Sequence, residues 1–144
     1  YQPSNTAAQL TNRRLSIMAE EIITISAGNI TLEAQLNDSR TAAKILEILP
    51  LEGSANVWGD EIYFDIPLEI EQESNARAEV EVGELGYWPV GSAFCIFFGP
   101  TPVSTDDKPR AYSPVNIFGQ ILGDAKQFKA VSSGSIVSVR QKKE

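Results

Sequence analysis

Aromatic side chains concentrate in three neighbouring segments of the chain, and they are the residues best suited to bind a ligand. Tryptophan and tyrosine offer a flat apolar ring with a polar tip, which suits prolyl rings and small ligands. Alternate residues of a strand must also fill a core, so Phe94, Ile96 and Phe98 are predicted to point inward. The aromatic residues of the three segments are Trp58, Tyr63, Tyr87, Trp88, Phe94, Phe97 and Phe98.

Three of these aromatic residues lie at predicted strand ends, next to glycine or proline. They are Trp58, Tyr87 and Trp88. The end of a strand next to glycine or proline can leave the strand surface uncovered. A position in a binding groove is therefore as well supported for these three residues as a position in the core. The sequence therefore predicts an aromatic groove formed by residues from separate strands.

A proline-rich loop predicted over residues 99–114 supplies further candidates. Pro100 and Thr101 follow the buried apolar run 93–98. They either form a rigid loop that ends strand pairing, or the wall of a groove with free backbone groups for a ligand. Loops longer than about 12–15 residues are often functional, so the second interpretation stays open.

Two polar residues are candidate anchors for a ligand. Arg110, in the predicted loop, is suited to bind a carbonyl or carboxylate, although a surface ion pair with Asp106 or Asp107 is the favoured interpretation. Asn116, in the strand that follows, offers an amide. Both belong to the groove only if the barrel brings their segments beside the aromatic residues.

Three further residues carry reactive groups but fit structural roles better. Cys95 lies within an apolar run, where burial raises the pKa of a thiol and lowers its reactivity. Asp60 and Glu61 are adjacent carboxylates that follow Gly59, and turn formation accounts for them better than general acid–base catalysis does.

Composition excludes several classes of function. The chain has 144 residues and no histidine, which removes Ser-His-Asp and Cys-His nucleophiles and every histidine-bearing metal site. A net charge of −7 disfavours nucleic-acid binding. One cysteine fits a reducing compartment, and no apolar run reaches the roughly 18 residues of a membrane-spanning helix. We therefore expect a cytoplasmic protein with no metal, no cofactor, no nucleic-acid partner and no membrane association.

Hydrophobic periodicity predicts a mostly β domain. Strands are expected over residues 22–25, 30–36, 54–58, 61–66, 83–88, 93–98, 115–122 and 135–140, with a ragged strand or loop over 69–80. A helix over residues 39–49 carries an apolar stripe, with Asp38 or Ser39 as its cap and Pro50 as its end. A short helix is expected over 125–131. Seven or eight short strands with one main and one short helix indicate a closed β-barrel.

The first 17 residues differ from the remainder of the chain. They are polar and show no sustained periodicity, and Met18 begins a stretch typical of a translation start. Residues 1–17 are therefore interpreted as an N-terminal extension that is poorly ordered or non-native, and residues 18–144 as the domain.

Several segments resemble a family of small, mostly prokaryotic proteins that have a cyclophilin-like barrel and no established function. The segments that carry the resemblance are residues 29–34, 49–50, 58–64, 86–89, 93–102, 113–116 and 119–124. The resemblance extends from about residue 20 to 140 and implies a closed eight-stranded cyclophilin-like β-barrel. It implies no activity, although cyclophilins themselves are prolyl isomerases that use an arginine beside an apolar pocket.

These observations support three hypotheses. The first is a module whose aromatic groove binds a peptide or small-molecule ligand, and the second is a peptidyl-prolyl cis-trans isomerase in which Arg110 is the catalytic residue. The third is a structural or oligomerisation domain, with the aromatic surface buried in a homo-oligomer. The candidate ligand-binding residues are Trp58, Tyr63, Tyr87, Trp88, Phe97, Pro100, Thr101, Arg110 and Asn116.

Overall fold

The computed structural model describes residues 21–142 of the chain. These residues form ten strands and two helices. The N-terminal extension expected over residues 1–17 lies outside this range. No helix in residues 21–142 has the length and apolarity needed to cross a bilayer. The elements are β1 (Ile22–Ala27), β2 (Ile30–Leu36), α1 (Arg40–Ile48), β3 (Leu51–Ser54), β4 (Asn56–Val57), β5 (Glu61–Asp65), β6 (Arg77–Glu79), β7 (Glu84–Trp88), β8 (Ala93–Phe97), β9 (Arg110–Leu122), a 3₁₀ helix (Ala125–Ala130) and β10 (Ile136–Gln141).

Each of the two helices begins after a residue whose side chain caps it. Ser39 caps α1, since its Oγ accepts a hydrogen bond of 3.1 Å from the Ala42 amide. The apolar stripe packs inward through Ala42 and Ile45, which are both buried. Asp124 caps the 3₁₀ helix in the same manner, accepting from the Lys126 amide at 3.0 Å. The predictions of one main and one short helix are confirmed.

The strands form one highly curved sheet in the order β3–β10–β1–β2–β9–β7–β8–β5–β4, and β6 pairs with β9 outside this path. The prediction of a closed eight-stranded barrel is wrong in both strand number and closure. Only Ala55 separates the end strands β3 and β4, so the chain passes from one edge of the sheet to the other without a ladder between them. Side chains fill this seam: a Cβ atom at Gly53 would lie 2.8 Å from the ring of Phe64.

Strand β9 is longer than the pattern predicted, because it begins at Arg110 rather than at Val115. Its first half pairs with the short strand β6, in the register Glu79 to Arg110 and Arg77 to Val115, with an irregularity between them. That irregularity accommodates Pro114, which has no amide hydrogen to donate to a regular ladder. The predicted loop over residues 99–114 is therefore too long, and Arg110 lies in a strand.

The sheet has a core on each face. The larger core contains most of the buried side chains, among them Phe94, Ile96 and Phe98. Successive residues of a strand point to opposite faces, so the neighbours of these residues contribute to the other core. That second core consists of Val80, Ala93, Cys95, Phe97, Ala111 and Val115.

Candidate functional site

A pocket of about 200 Å³ opens on the face of the sheet that carries the second core. Strands β5, β8 and β7 form its base, and the first half of β9 forms one side. Its walls are mostly aromatic and aliphatic, and they include one carboxyl group. The lining residues are Trp58, Glu61, Tyr63, Trp88, Cys95, Ala111, Tyr112 and Val115.

The hairpin between β4 and β5 places Trp58 beside Glu61. Their backbones exchange two hydrogen bonds, from Trp58 N to Glu61 O at 2.9 Å and from Glu61 N to Trp58 O at 3.2 Å. Residues paired in this way are directly opposite, so their side chains lie on the same face. Gly59 adopts a φ of 59° in the two-residue turn, where a residue with a Cβ atom would be strained.

Strand pairing brings the other lining residues to the same face. Tyr63 lies opposite Cys95 in the β5–β8 ladder, and Trp88 lies opposite Ala93 in the β7–β8 ladder. Gly86 lies opposite Cys95, and a Cβ atom there would approach the Val115 side chain to 2.8 Å. Because Gly86 has no side chain, Val115 of β9 can approach β7 closely, and β9 thereby forms one side of the pocket.

Tyr112 connects the two tryptophans at the rim of the pocket. Its ring centroid lies 6.3 Å from that of Trp58 and 6.2 Å from that of Trp88, with interplanar angles of 62° and 78°. Both contacts are edge-to-face, a favourable arrangement for aromatic rings. The Trp88 indole is also fixed by its Nε1–H, which donates to Ser113 Oγ at 2.6 Å. Tyr112 itself remains 74% exposed.

Glu61 is the one ionisable carboxyl group of the pocket wall. The residue is only 5% exposed, and its Oε1 is buried without a hydrogen-bond partner. Burial raises the pKa of Glu61 from 4.5 to about 7, and an interaction with the Cys95 thiol partly offsets this rise. The carboxyl group is consequently protonated and ionised in comparable amounts near neutral pH, so it can donate or accept a hydrogen bond.

The Cys95 thiol lies next to this carboxyl group. Burial, and then the negative charge of Glu61, raise the pKa of Cys95 well above its ordinary value. A thiol in this environment stays protonated and is a poor nucleophile. The interpretation of Cys95 as a buried structural thiol is confirmed by its 2% exposure.

Three residues predicted for the groove line this pocket, namely Trp58, Tyr63 and Trp88. Tyr87 does not, because it is one residue from Trp88 and points into the larger core, where its hydroxyl donates to Leu68 O at 2.6 Å. Phe97 is fully buried in the second core.

Asn116 is also fully buried, and both the nitrogen and the oxygen of its side-chain amide form hydrogen bonds within the protein. Its Nδ2 donates to Glu71 O at 3.0 Å and to Thr41 Oγ1 at 3.2 Å, and its Oδ1 accepts from Glu73 N at 2.8 Å. The amide therefore holds the segment before β6 against α1 and β9, away from the pocket.

The remaining predicted residues lie outside the pocket. Pro100 borders a separate surface depression, and the buried Thr101 donates its hydroxyl hydrogen to Arg110 O. Arg110 forms the surface ion pair that was the favoured interpretation, but with Glu79 at 3.0 Å rather than with Asp106 or Asp107. The reason is the pairing of β6 with β9, which sets these two residues opposite each other.

Sequence reasoning missed Glu61 and Tyr112 as pocket residues. The start of a strand at Glu61, after the Gly59-Asp60 turn, was predicted and is confirmed, but the Glu61 carboxyl group was attributed to turn formation rather than to a pocket. The spacing itself contains the signal, because residues on either side of a two-residue turn face the same way. Tyr112 was missed because its segment was predicted as loop.

The Cyclophilin-like family model matches residues 21–140. A hypothetical protein of Archaeoglobus fulgidus with a known solution structure is similar to this chain, with 37% sequence identity and a TM-score of 0.74. The similarity covers 86% of this chain and 96% of that protein. A search of curated proteins gave no match. Because the family model spans most of its length, the chain belongs to the cyclophilin-like family.

Proposed function

We propose that this protein is a small-ligand-binding module and that the pocket between Trp58 and Trp88 is its binding site. The observation that carries the proposal is an aromatic pocket whose one carboxyl group, that of Glu61, is buried with an unpartnered oxygen. An unsatisfied buried polar atom costs about 1–3 kcal/mol, and a bound donor would remove this cost.

The size of the pocket limits what it holds. Drug-sized ligands occupy pockets of about 300–1,000 Å³. A volume of about 200 Å³ suits a fragment of a metabolite or one side chain of a peptide. Such a ligand would place its apolar part between the indole rings and its polar group near Glu61.

The two tryptophans provide a direct test. They are the only tryptophans in the chain and both line the pocket, so their two indole N–H resonances report on its occupancy. Screening of a fragment library by ¹H–¹⁵N NMR is expected to find compounds that shift both resonances together. A library in which no compound shifts either resonance contradicts the proposal.

Truncation of Tyr112 tests whether the rim contributes to binding. Tyr112 is exposed, so Tyr112→Ala is expected to change stability by less than about 0.5 kcal/mol. It removes the ring that contacts both tryptophans, and fragments should bind about tenfold more weakly. The matched control is Ile136→Ala, which truncates an exposed apolar residue on β10 and should leave binding unchanged. Equal affinities in all three proteins would place the binding site elsewhere.

Prolyl isomerisation is a second candidate function. It is favoured by the position of Arg110 directly before Ala111, a residue of the pocket wall. The guanidinium would have to leave Glu79 to reach a prolyl amide in the pocket. Exchange cross-peaks on a short Xaa-Pro peptide measure this activity, and it should disappear in Arg110→Ala. Resonance shifts without accelerated exchange would favour the binding module.

A further inference from the structure

We infer that the ligand of this pocket carries a primary ammonium group, which sits against the Glu61 carboxylate and among the rings of Trp58, Tyr63, Trp88 and Tyr112. The inference rests on the proposed binding function and specifies the chemical class of the ligand. Three properties of the pocket support it: its charge, the arrangement of its rings and its unpartnered oxygen.

The charge of the pocket is negative or neutral. No lysine or arginine is among the lining residues, and Glu61 has no ion-pair partner within residues 21–142. The other titratable groups of the pocket wall are the Cys95 thiol on β8, the Tyr63 phenol on β5 and the Tyr112 phenol on β9. None of them supplies a positive charge, so a cationic ligand would provide the missing counterion.

The rings at the rim do not form a flat slot. Tyr112 stands at 62° to Trp58 and at 78° to Trp88, so these walls are far from parallel. A flat ligand is held best between parallel rings. Non-parallel walls suit a compact group, and the negative ring faces of tryptophan and tyrosine attract a cation.

The buried oxygen restricts the ligand further. Glu61 Oε1 has no partner, so the ligand needs an N–H or O–H hydrogen to donate to it. A primary ammonium has three such hydrogens, whereas a quaternary ammonium has none. The volume of about 200 Å³ is close to that of six or seven water molecules, at roughly 30 Å³ each, which fits a short alkylammonium chain.

Three small probes separate these properties. n-Butylamine is protonated at pH 7, tetramethylammonium is a cation without a donor, and 1-butanol is a neutral molecule of similar length. Titrations are followed by the two indole N–H resonances. n-Butylamine is expected to bind at least about tenfold more tightly than either of the others, because charge-assisted hydrogen bonds are the strongest.

Two variants assign the effect to Glu61. Glu61→Gln keeps the shape of the side chain but removes its charge, and it should weaken n-butylamine binding about tenfold while leaving 1-butanol unaffected. Asp60→Asn is the matched control, since Asp60 is the adjacent carboxylate, lies outside the pocket and pairs with Lys129 at 3.6 Å. It removes the same charge and should bind n-butylamine as the wild-type protein does.

A calorimetric measurement on the wild-type protein needs no variant. An ammonium group favours the ionised form of Glu61 and lowers its pKa, so n-butylamine should release protons at pH 7. Binding enthalpies in two buffers with different ionisation enthalpies give the number of protons. Proton uptake would mean that a protonated Glu61 donates to the ligand, which would overturn the inference.

The affinity for Nα-acetyl-lysine methylamide distinguishes two sources of the ammonium group, a lysine side chain of a peptide and a free amine. Tighter binding of this compound than of n-butylamine indicates a lysine side chain of a peptide, and the reverse indicates a free amine. The inference is overturned if 1-butanol binds as tightly as n-butylamine, or if Glu61→Gln binds n-butylamine normally, although the binding function would then stand. If no probe or fragment shifts the indole resonances, both proposals fail.

Discussion

Ionisation of Glu61 links the stability of the fold to pH. The folded protein holds the Glu61 proton more tightly than the unfolded chain does, because burial raises its pKa from 4.5 to about 7. The resulting stabilisation is fully present below pH 4.5 and is lost as the pH rises through 7. This difference between the folded and unfolded pKa corresponds to a loss of about 3 kcal/mol in the free energy of unfolding between pH 4 and pH 8. Glu61→Gln has no such proton, so it should be the more stable protein at pH 8 and close to the wild-type protein at pH 5.

Urea unfolding at both pH values, with Glu61→Gln and Asp60→Asn beside the wild-type protein, measures this difference. Asp60→Asn should follow the wild-type pH dependence. Parallel curves for the wild-type protein and Glu61→Gln would contradict the burial of an unpaired carboxyl group.

A shift of one residue along a strand decides whether a side chain lies in this pocket or in the core. Trp88 and Tyr87 were both predicted for the groove, but alternation along β7 puts only Trp88 on the pocket face. The order of these two residues in the chain does not show which of them faces the pocket and which faces the larger core. Asn116 was likewise chosen as a polar anchor, and only tertiary packing reveals that the protein itself uses all of its hydrogen bonds.

At the scale of elements, the hairpin turn at Gly59 controls the position of both Trp58 and Glu61. A Cβ atom at Gly59 would lie 2.8 Å from the Pro102 ring and 2.9 Å from Thr101 Cα, and φ there is 59°. Gly59→Ala must therefore displace the turn or the loop after β8. We expect a loss of about 2–3 kcal/mol in the free energy of unfolding, with weaker fragment binding.

Gly134→Ala is the control for this turn. Gly134 also has a positive φ, of 91°, but no atom lies within 4 Å of its added Cβ. Its substitution introduces backbone strain without a collision, so fragment binding should be retained. Equal effects of the two substitutions on binding would show that the Gly59 contact does not position the pocket.

Element types were predictable where the pattern is local. The β1–β2 hairpin, α1 with its Ser39 cap, and the buried strand β8 follow from alternation, capping and apolar runs. The first half of β9 was not predictable, because Pro109 before it and Pro114 within it favour a loop and only pairing with β6 makes it a strand. Tyr112 was missed with it. The absence of hydrogen-bonded closure was also beyond local pattern, since the seam between the two sheet edges depends on how β3 packs against β5.

At the scale of the whole molecule, Asn116 connects three regions that are distant in sequence. Its side chain bonds to Glu71 and Glu73, before β6, and to Thr41 on α1. Asn116→Ala leaves buried polar groups without partners and should lower the free energy of unfolding by about 2–4 kcal/mol.

Asn37→Ala is a suitable comparison for Asn116→Ala. The Asn37 side chain is half-buried and makes two hydrogen bonds, donating to Ile117 O of β9 at 2.9 Å and accepting from the Ser39 amide at 3.0 Å. Denaturant unfolding should show a smaller loss for Asn37→Ala. A loss for Asn116→Ala no larger than this would contradict its role as a connection between the three regions.

The pairing of β1 with β10 has a mechanical consequence. Ile23 lies opposite Gln141, so the chain enters and leaves the sheet at neighbouring points of one ladder. The hydrogen bonds of an antiparallel ladder run across the strands. A force that pulls these two ends apart therefore acts along the bonds and loads them one pair after another, beginning at Ile23. Such a ladder opens one pair at a time and offers little resistance. A tether at both ends would therefore separate β1 from β10, each still paired with β2 or β3, while the strands around the pocket were still unstrained.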